Sequence, residues 1–162
     1  MGCARLLVLG GIAMATAAKP AIHDDTPALI VRILEARFTV YLARLCLTLP
    51  FWWSGIDKLF HPHAALTEIQ GLGLPPSWIL YGLLLITQLG GSLAIIFNRF
   101  AWLGAGALGV FTAVVTYMAH AFWTLQGPAR FAEMNDFLEH ISLIAGMVFA
   151  ALHCHEVKAH DR

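Results

Sequence analysis

The sequence predicts an all-α integral membrane protein, a four-helix bundle with both termini on the cytoplasmic side (N-in/C-in). The 162-residue chain is 59% hydrophobic and only 12% charged, whereas roughly a quarter of the residues of a soluble domain are charged. No charged residue occurs between Glu68 and Arg99 or between Arg99 and Arg130. Each of these stretches exceeds the roughly 20 apolar residues that cross a bilayer. Lys and Arg are divided unequally between the two sides, which predicts the orientation.

Four apolar segments of sufficient length follow one another along the chain. The second and third fill the two uncharged stretches. The first contains Arg44 and Pro50, and the fourth contains Glu139 and His140 near its start. Polar groups in such positions face the bundle interior or extend toward the interface, so they do not exclude a membrane helix. The predicted helices are Phe38 to Asp57, Trp78 to Phe97, Ala101 to Trp123 and Phe137 to Cys154.

The positively charged residues predict the sidedness and the division of the chain. Lys58 and Arg130 lie in the two predicted outer turns, around residues 58–77 and 124–136, and most other Lys and Arg residues fall on the opposite side. Residues 1–36 are predicted to form an N-terminal extension whose first 18 residues resemble a signal peptide. The bundle is expected at 37–156 and a cytoplasmic tail at 157–162. The predicted location is the bacterial inner membrane, with the chain crossing it several times.

Charge and cysteine content exclude two classes of function. Ten Lys and Arg residues balance ten Asp and Glu residues, so the chain has no basic surface for a nucleic-acid backbone. A membrane thiol oxidoreductase needs paired cysteines, and this sequence has no C-x-x-C motif. Two pairs of histidines have two-residue spacing: His61 with His63, and His153 with His155. Neither pair has a third ligand at a fixed spacing, so the sequence predicts no metal site.

Several residues that can carry chemistry are predicted to share one depth in the membrane. Lys58 ends the first helix, His120 lies near the end of the third, and Glu139 and His140 begin the fourth. Together they would form an outer-leaflet polar pocket for a small anion or a quinone head, with an imidazole transferring a proton and a carboxylate relaying it to water. Secondary candidates for this or another polar site are Arg44, Gln88, Trp123 and Asn135.

A structural interpretation competes with the functional one for each of these residues. Polar residues at helix ends commonly lie among lipid headgroups and water. Gln88, which is followed by Gly90 and Gly91, could contact a ligand, but glutamine and small residues also serve ordinary helix packing in membranes. Arg44 could pair with an acidic lipid or a partner, or extend toward the inner interface.

From Arg44 to Leu152 the chain resembles the DoxX family of small four-helix bacterial inner-membrane proteins. The resemblance rests on an Arg that opens the first helix, followed by FWWSGIDKLF, the GLGLPPS turn, QLGGSLAII and MAHAFW, in that order. By position, the family's recurring residues match Gly55, Lys58, His120 and Trp123. The family more often has Glu at the position of Gln88, and a Lys-Asn pair where this chain has Glu139 and His140.

The resemblance implies a membrane subunit linked to redox and sulfur metabolism. We therefore expect a subunit of a quinone-linked oxidoreductase, with a membrane quinone as its ligand, the lipid bilayer as its surroundings and a redox enzyme as its partner; an oligomer is compatible with this. The alternative is a non-catalytic membrane scaffold or stress-response protein that recruits a partner enzyme. Truncation of the polar side chains would impair the function of a quinone-linked subunit and leave that of a scaffold intact.

Overall fold

The computed structural model describes the backbone of residues 27–160 and the side chains of residues 27–154. The signal-like segment predicted at residues 1–18 lies outside the described residues, as does the end of the predicted tail. The described helices are α1 (Ala28–Glu35), α2 (Arg37–Leu47), α3 (Leu49–Phe60), α4 (Pro62–Gly71), α5 (Trp78–Leu85), α6 (Gly91–Ile96), α7 (Ala101–Ala119) and α8 (Gly127–His160). A π-helical segment, Ile86–Gly90, joins α5 to α6, and a 3-10 turn, Phe122–Thr124, follows α7.

Three helical stretches are long and apolar enough to cross a membrane: Trp78–Ile96, Ala101–Thr124 and Gly127–Cys154. They correspond to the second, third and fourth predicted helices. The last begins ten residues before its predicted start, because α8 takes in most of a segment that the sequence analysis treats as a turn.

The first predicted helix is divided at Thr48 into α2 and α3, of 11 and 12 residues. Thr48 has φ −92° and ψ 0°, and Pro50 lies two residues after it. Proline has no N–H to donate to the carbonyl of Cys46, and its ring crowds that carbonyl, so the regular helix is interrupted. The hydroxyl of Thr48 donates to the carbonyl of Arg44 at 2.8 Å. Neither helix alone is long enough to count as a membrane span.

A further helix, α4, occupies the region predicted as an outer turn. Pro62 lies in its first turn, where a missing N–H costs nothing. Its apolar side chains Ala65 and Ile69 are buried. The helix ends before Gly73, whose φ of +79° favours glycine, and the Gly73 N–H donates to the carbonyl of Gln70 at 2.9 Å.

The centre of the bundle is a small apolar core. Its buried members come from α3, α6, α7 and α8, and they are Phe51, Ile95, Ala105, Leu108 and Met147. Many other large apolar side chains are exposed, including Phe97, Trp102 and Phe149. An outer surface of this kind is stable in lipid and costly in water.

Glycines allow the closest helix contacts. Gly104 on α7 lies against the backbone of Gly91, so that a Cβ atom at Gly104 would be 2.6 Å from the Gly91 carbonyl oxygen. On the other side of the bundle, a Cβ at Gly146 of α8 would lie 2.8 Å from Leu47 Cδ1. Small residues are the usual means by which membrane helices approach one another.

Candidate functional site

A cavity of about 180 Å³ lies between α3, the π-helical segment, α7 and α8, with one residue of α4 at its edge. In an otherwise apolar interior, half of its lining residues are polar. The polar lining residues are Ser54, Glu68, Gln88, Thr112 and His140, and the apolar ones are Pro50, Phe51, Phe111, Val115 and Leu143.

Gln88 is a buried polar residue of this lining, and one atom of its side chain is unsatisfied. It is 5% exposed; its Nε2 donates to Ser54 Oγ at 3.4 Å, and its Oε1 has no hydrogen-bond partner. Gln88 lies in the π-helical segment, and such segments inside α-helices occur frequently at functional sites. An unsatisfied buried acceptor costs roughly 1–3 kcal/mol. A residue of the cavity lining therefore carries a buried acceptor that no described residue uses.

The hydrogen bonds of Thr116 fix the tautomer of His140. The Thr116 hydroxyl donates its only hydrogen to the Thr112 carbonyl at 2.6 Å. Its oxygen is also 2.9 Å from His140 Nδ1, so this ring nitrogen must be the donor. In the neutral imidazole, Nε2 then carries no hydrogen and can accept a proton or a hydrogen bond.

A second histidine extends the polar group toward the end of the bundle. The rings of His120 and His140 are 4.9 Å apart between centroids. His120 Nδ1 lies 2.7 Å from Glu133 Oε2 and donates to that carboxylate. Glu133 is more exposed than His120. The three side chains therefore form a series from the cavity to the surface.

Lys58 lies beside the cavity as half of an ion pair. Its Nζ is 2.8 Å from Glu68 Oε2 and donates to Ser54 Oγ at 2.8 Å. The Lys58 side chain is 8% exposed and that of Glu68 57%. The Tyr81 hydroxyl donates to the Lys58 carbonyl at 3.0 Å, which ties α5 to α3. The charge of Lys58 is thus neutralised within the chain.

The unequal burial of this pair predicts unequal mutant effects. Glu68→Met strands a buried ammonium, whereas Lys58→Met leaves a carboxylate that water can solvate. We expect Glu68→Met to lower the free energy of unfolding by about 1–2 kcal/mol, less than the roughly 3–5 kcal/mol of a fully buried pair because Glu68 is half exposed. Lys58→Met should lower the free energy of unfolding by less. The double variant, Lys58→Met with Glu68→Met, should lose as much stability as Lys58→Met alone. Unfolding in mixed detergent micelles measures this, and equal losses in both single variants would contradict it.

An apolar groove of about 210 Å³ adjoins the cavity. The two share Phe111 and Val115 of α7 as lining residues. The rest of the groove is formed by α4, α5, α7 and the π-helical segment, mainly by leucines. The partly polar cavity and the apolar groove therefore share one face of α7.

A group of potential metal ligands lies near the end of the bundle. One atom each of His120, Glu133 and Asp136 lies within 4.8 Å of the others. The hydrogen bond from His120 to Glu133 already accounts for two of the three, and Asp136 is exposed. We assign no metal to this group.

The structure brings together only some of the residues that the sequence singles out. His120 and His140 are in contact, Lys58 binds a residue of the cavity lining, and Gln88 lines the cavity itself. Three others, Trp123, Asn135 and Glu139, do not line the cavity, and Glu139 is exposed. Arg44 lies apart, with its Nη2 3.6 Å from Cys154 Sγ.

The sequence analysis did not select four residues that complete this arrangement: Ser54, Glu68, Thr116 and Glu133. A signal for one of them was present, because Thr112, Thr116 and His120 recur every four residues and so share a face of a helix. Glu133 and His140 are seven residues apart, which also places them on one face. Nothing in the sequence pairs Glu68 with Lys58.

Three helical stretches that are long and apolar enough to cross a bilayer, packed around a partly polar cavity, are typical of an integral membrane protein. The model of the family described as DoxX matches residues 39–121, slightly more than half of the chain. The protein belongs to the DoxX family, as its sequence motifs indicate. No curated protein and no solved structure matches the chain. The matched range includes Ser54, Gln88 and His120 and ends before His140.

Proposed function

We propose that this protein is the quinone-binding membrane subunit of a redox system. The observation that carries the proposal is that Gln88, whose buried Oε1 has no hydrogen-bond partner among the described residues, lines a cavity of about 180 Å³. An apolar protein cavity of about 150 Å³ binds benzene, so this one has room for a single substituted six-membered ring. The adjoining apolar groove suits an isoprenoid tail.

The polar groups of the cavity match a quinol head better than a free anion. A quinol has two hydroxyl donors, and Gln88 Oε1 and His140 Nε2 are acceptors without an assigned donor. An anion would need an unpaired positive charge. Lys58, the cation beside the cavity, is already paired with Glu68.

The proposed contribution of this chain to the reaction is the transfer of protons. Conversion of a quinol to a quinone releases two electrons and two protons. His140 would accept the two protons from the bound head one after the other, and His120 and Glu133 would carry each of them toward the surface. The electrons would pass to a partner subunit.

We also propose four membrane crossings with both termini in the cytoplasm of a bacterial cell. In this arrangement α2 and α3 cross together as a broken first span, because residues 37–60 suffice in length. Interrupted helices are tolerated in a membrane where they are buried against protein. Reporter fusions after residues 60 and 125 should locate to the outer side, and cytoplasmic activity at either position would contradict the proposal.

A binding measurement tests the quinone site. The full chain in detergent is titrated with a short-chain ubiquinol and, separately, with the corresponding ubiquinone, and the heat of binding is recorded. We expect saturable binding at one site and a loss of affinity of about tenfold or more in His140→Phe, because this change keeps a ring but removes the acceptor.

His61→Phe is the matched control, since His61 is an exposed histidine outside the cavity and its replacement should leave binding unchanged. Absence of binding of both forms, or equal losses in the two variants, would refute the quinone site. That result, together with co-purification of a partner enzyme, would favour the scaffold alternative.

A further inference from the structure

At the opposite end of α3 from Lys58, across the Thr48 break, Arg44 of α2 has no acidic partner among the side chains that the structure describes. Its guanidinium Nη2 lies 3.6 Å from Cys154 Sγ on α8, a weak acceptor. Among the side chains of residues 27–154, the ion pairs involve Lys58, His61 and His120, and none involves Arg44. The neutral thiol offers little compensation for this charge.

Arg44 lines a groove of about 340 Å³ between α2 and α8. His153 supplies a second nitrogen-bearing side chain, and most of the remaining surface is apolar, including Leu34 of α1, Val40 of α2 and Phe149 of α8. The groove therefore combines two nitrogen-bearing side chains with a mostly apolar lining that comes from three helices.

Helix α1, which supplies Leu34 to this groove, has the character of an interfacial helix. The long side chain of an arginine can extend from the apolar part of a membrane protein toward the lipid phosphates. Leu29 and Leu34 of the amphipathic helix α1 are exposed, as expected for a helix that lies in the interface.

The charge of the surrounding segment is complementary to an anionic headgroup. Residues 27–47 contain Arg32, Arg37 and Arg44 but only one acidic residue, Glu35. Basic residues near a membrane surface attract anionic lipids. An arginine can also hold a phosphate through two parallel hydrogen bonds.

We propose that this groove binds one anionic phospholipid, with its phosphate on Arg44 and an acyl chain along Leu34 and Phe149. The site is separate from the proposed quinone cavity, because the two have no lining residue in common. A lipid held there bridges α2 to α8.

Native mass spectrometry of the delipidated full chain tests this site. The protein is mixed with equal amounts of phosphatidylglycerol and phosphatidylcholine that carry the same acyl chains. We expect one retained phosphatidylglycerol, favoured at least fivefold over phosphatidylcholine. Arg44→Gln should reduce this retention at least fivefold, and Arg44→Lys should keep the preference for the anionic lipid.

Arg99→Gln is the matched control, because Arg99 is an exposed arginine between α6 and α7 that does not line the groove. It should retain the lipid as the unsubstituted protein does. Equal retention of both lipids by the unsubstituted protein, an equal loss in Arg99→Gln and Arg44→Gln, or loss of the preference in Arg44→Lys would overturn the proposal. Circular dichroism of each variant establishes that the helices are intact.

Discussion

Gln88→Met is expected to weaken quinol binding by about tenfold or more while leaving the protein as stable as before or more stable by about 1 kcal/mol. Methionine fills a similar volume but removes the buried Oε1, which has no partner among the described residues. The ligand loses its acceptor, whereas the empty protein loses an unsatisfied polar atom. The long hydrogen bond to Ser54, at 3.4 Å, is the only contact of the amide that is given up.

Opposite changes in binding and stability are the signature of a binding residue, since a residue that serves packing loses both together. Titration with ubiquinol measures the change in binding, and unfolding in mixed detergent micelles measures the change in stability. Gln88→Glu is the control, because it keeps an oxygen at this position. Unchanged binding in Gln88→Met would count against Gln88 as a ligand contact, and so would an equal loss in Gln88→Glu.

Gly104→Ala is expected to destabilise the bundle by about 2–3 kcal/mol. The added Cβ would lie 2.6 Å from the Gly91 carbonyl oxygen and 2.9 Å from Ala94 Cβ. The first of these is a backbone atom, which cannot move aside as a flexible side chain can. Helices α6 and α7 must therefore separate, and the apolar contacts between them are lost.

Gly106→Ala is a matched control two residues away on the same helix. A Cβ there meets no atom within 4 Å, so no loss of stability is expected. Both variants are compared by unfolding in mixed detergent micelles. A Gly104→Ala protein as stable as Gly106→Ala would mean that α6 and α7 do not approach as closely as the structure shows.

Much of the fold follows from local composition. The uncharged stretches on either side of Arg99 predicted two helices that the structure contains almost as expected, because an apolar run of that length is stable only in lipid. Pro50 predicts a kink in the first helix, whereas the structure divides that helix in two at Thr48. Proline can kink a membrane helix or end it, and the outcome depends on the neighbours that receive the freed carbonyl groups.

The candidate site was predicted in part. The approach of His120 to His140 follows from antiparallel helices joined by a short turn, so their shared depth could be read from the sequence. The sequence did not show which carboxylate lies beside the two histidines. Glu139 is adjacent to His140 in the chain, and consecutive residues of a helix point about 100° apart, so it faces outward. Glu133, two turns earlier, shares the face of His140.

The sequence by itself determined that this chain lies in a membrane and which residues share a depth, because hydrophobicity and helical rise are local properties. Only the tertiary structure decided which side chains meet. The burial of Gln88 and the pairing of Lys58 with Glu68 depend on the rotation of each helix about its own axis. That rotation is set by the packing of all helices together, through contacts such as the one between Gly91 and Gly104.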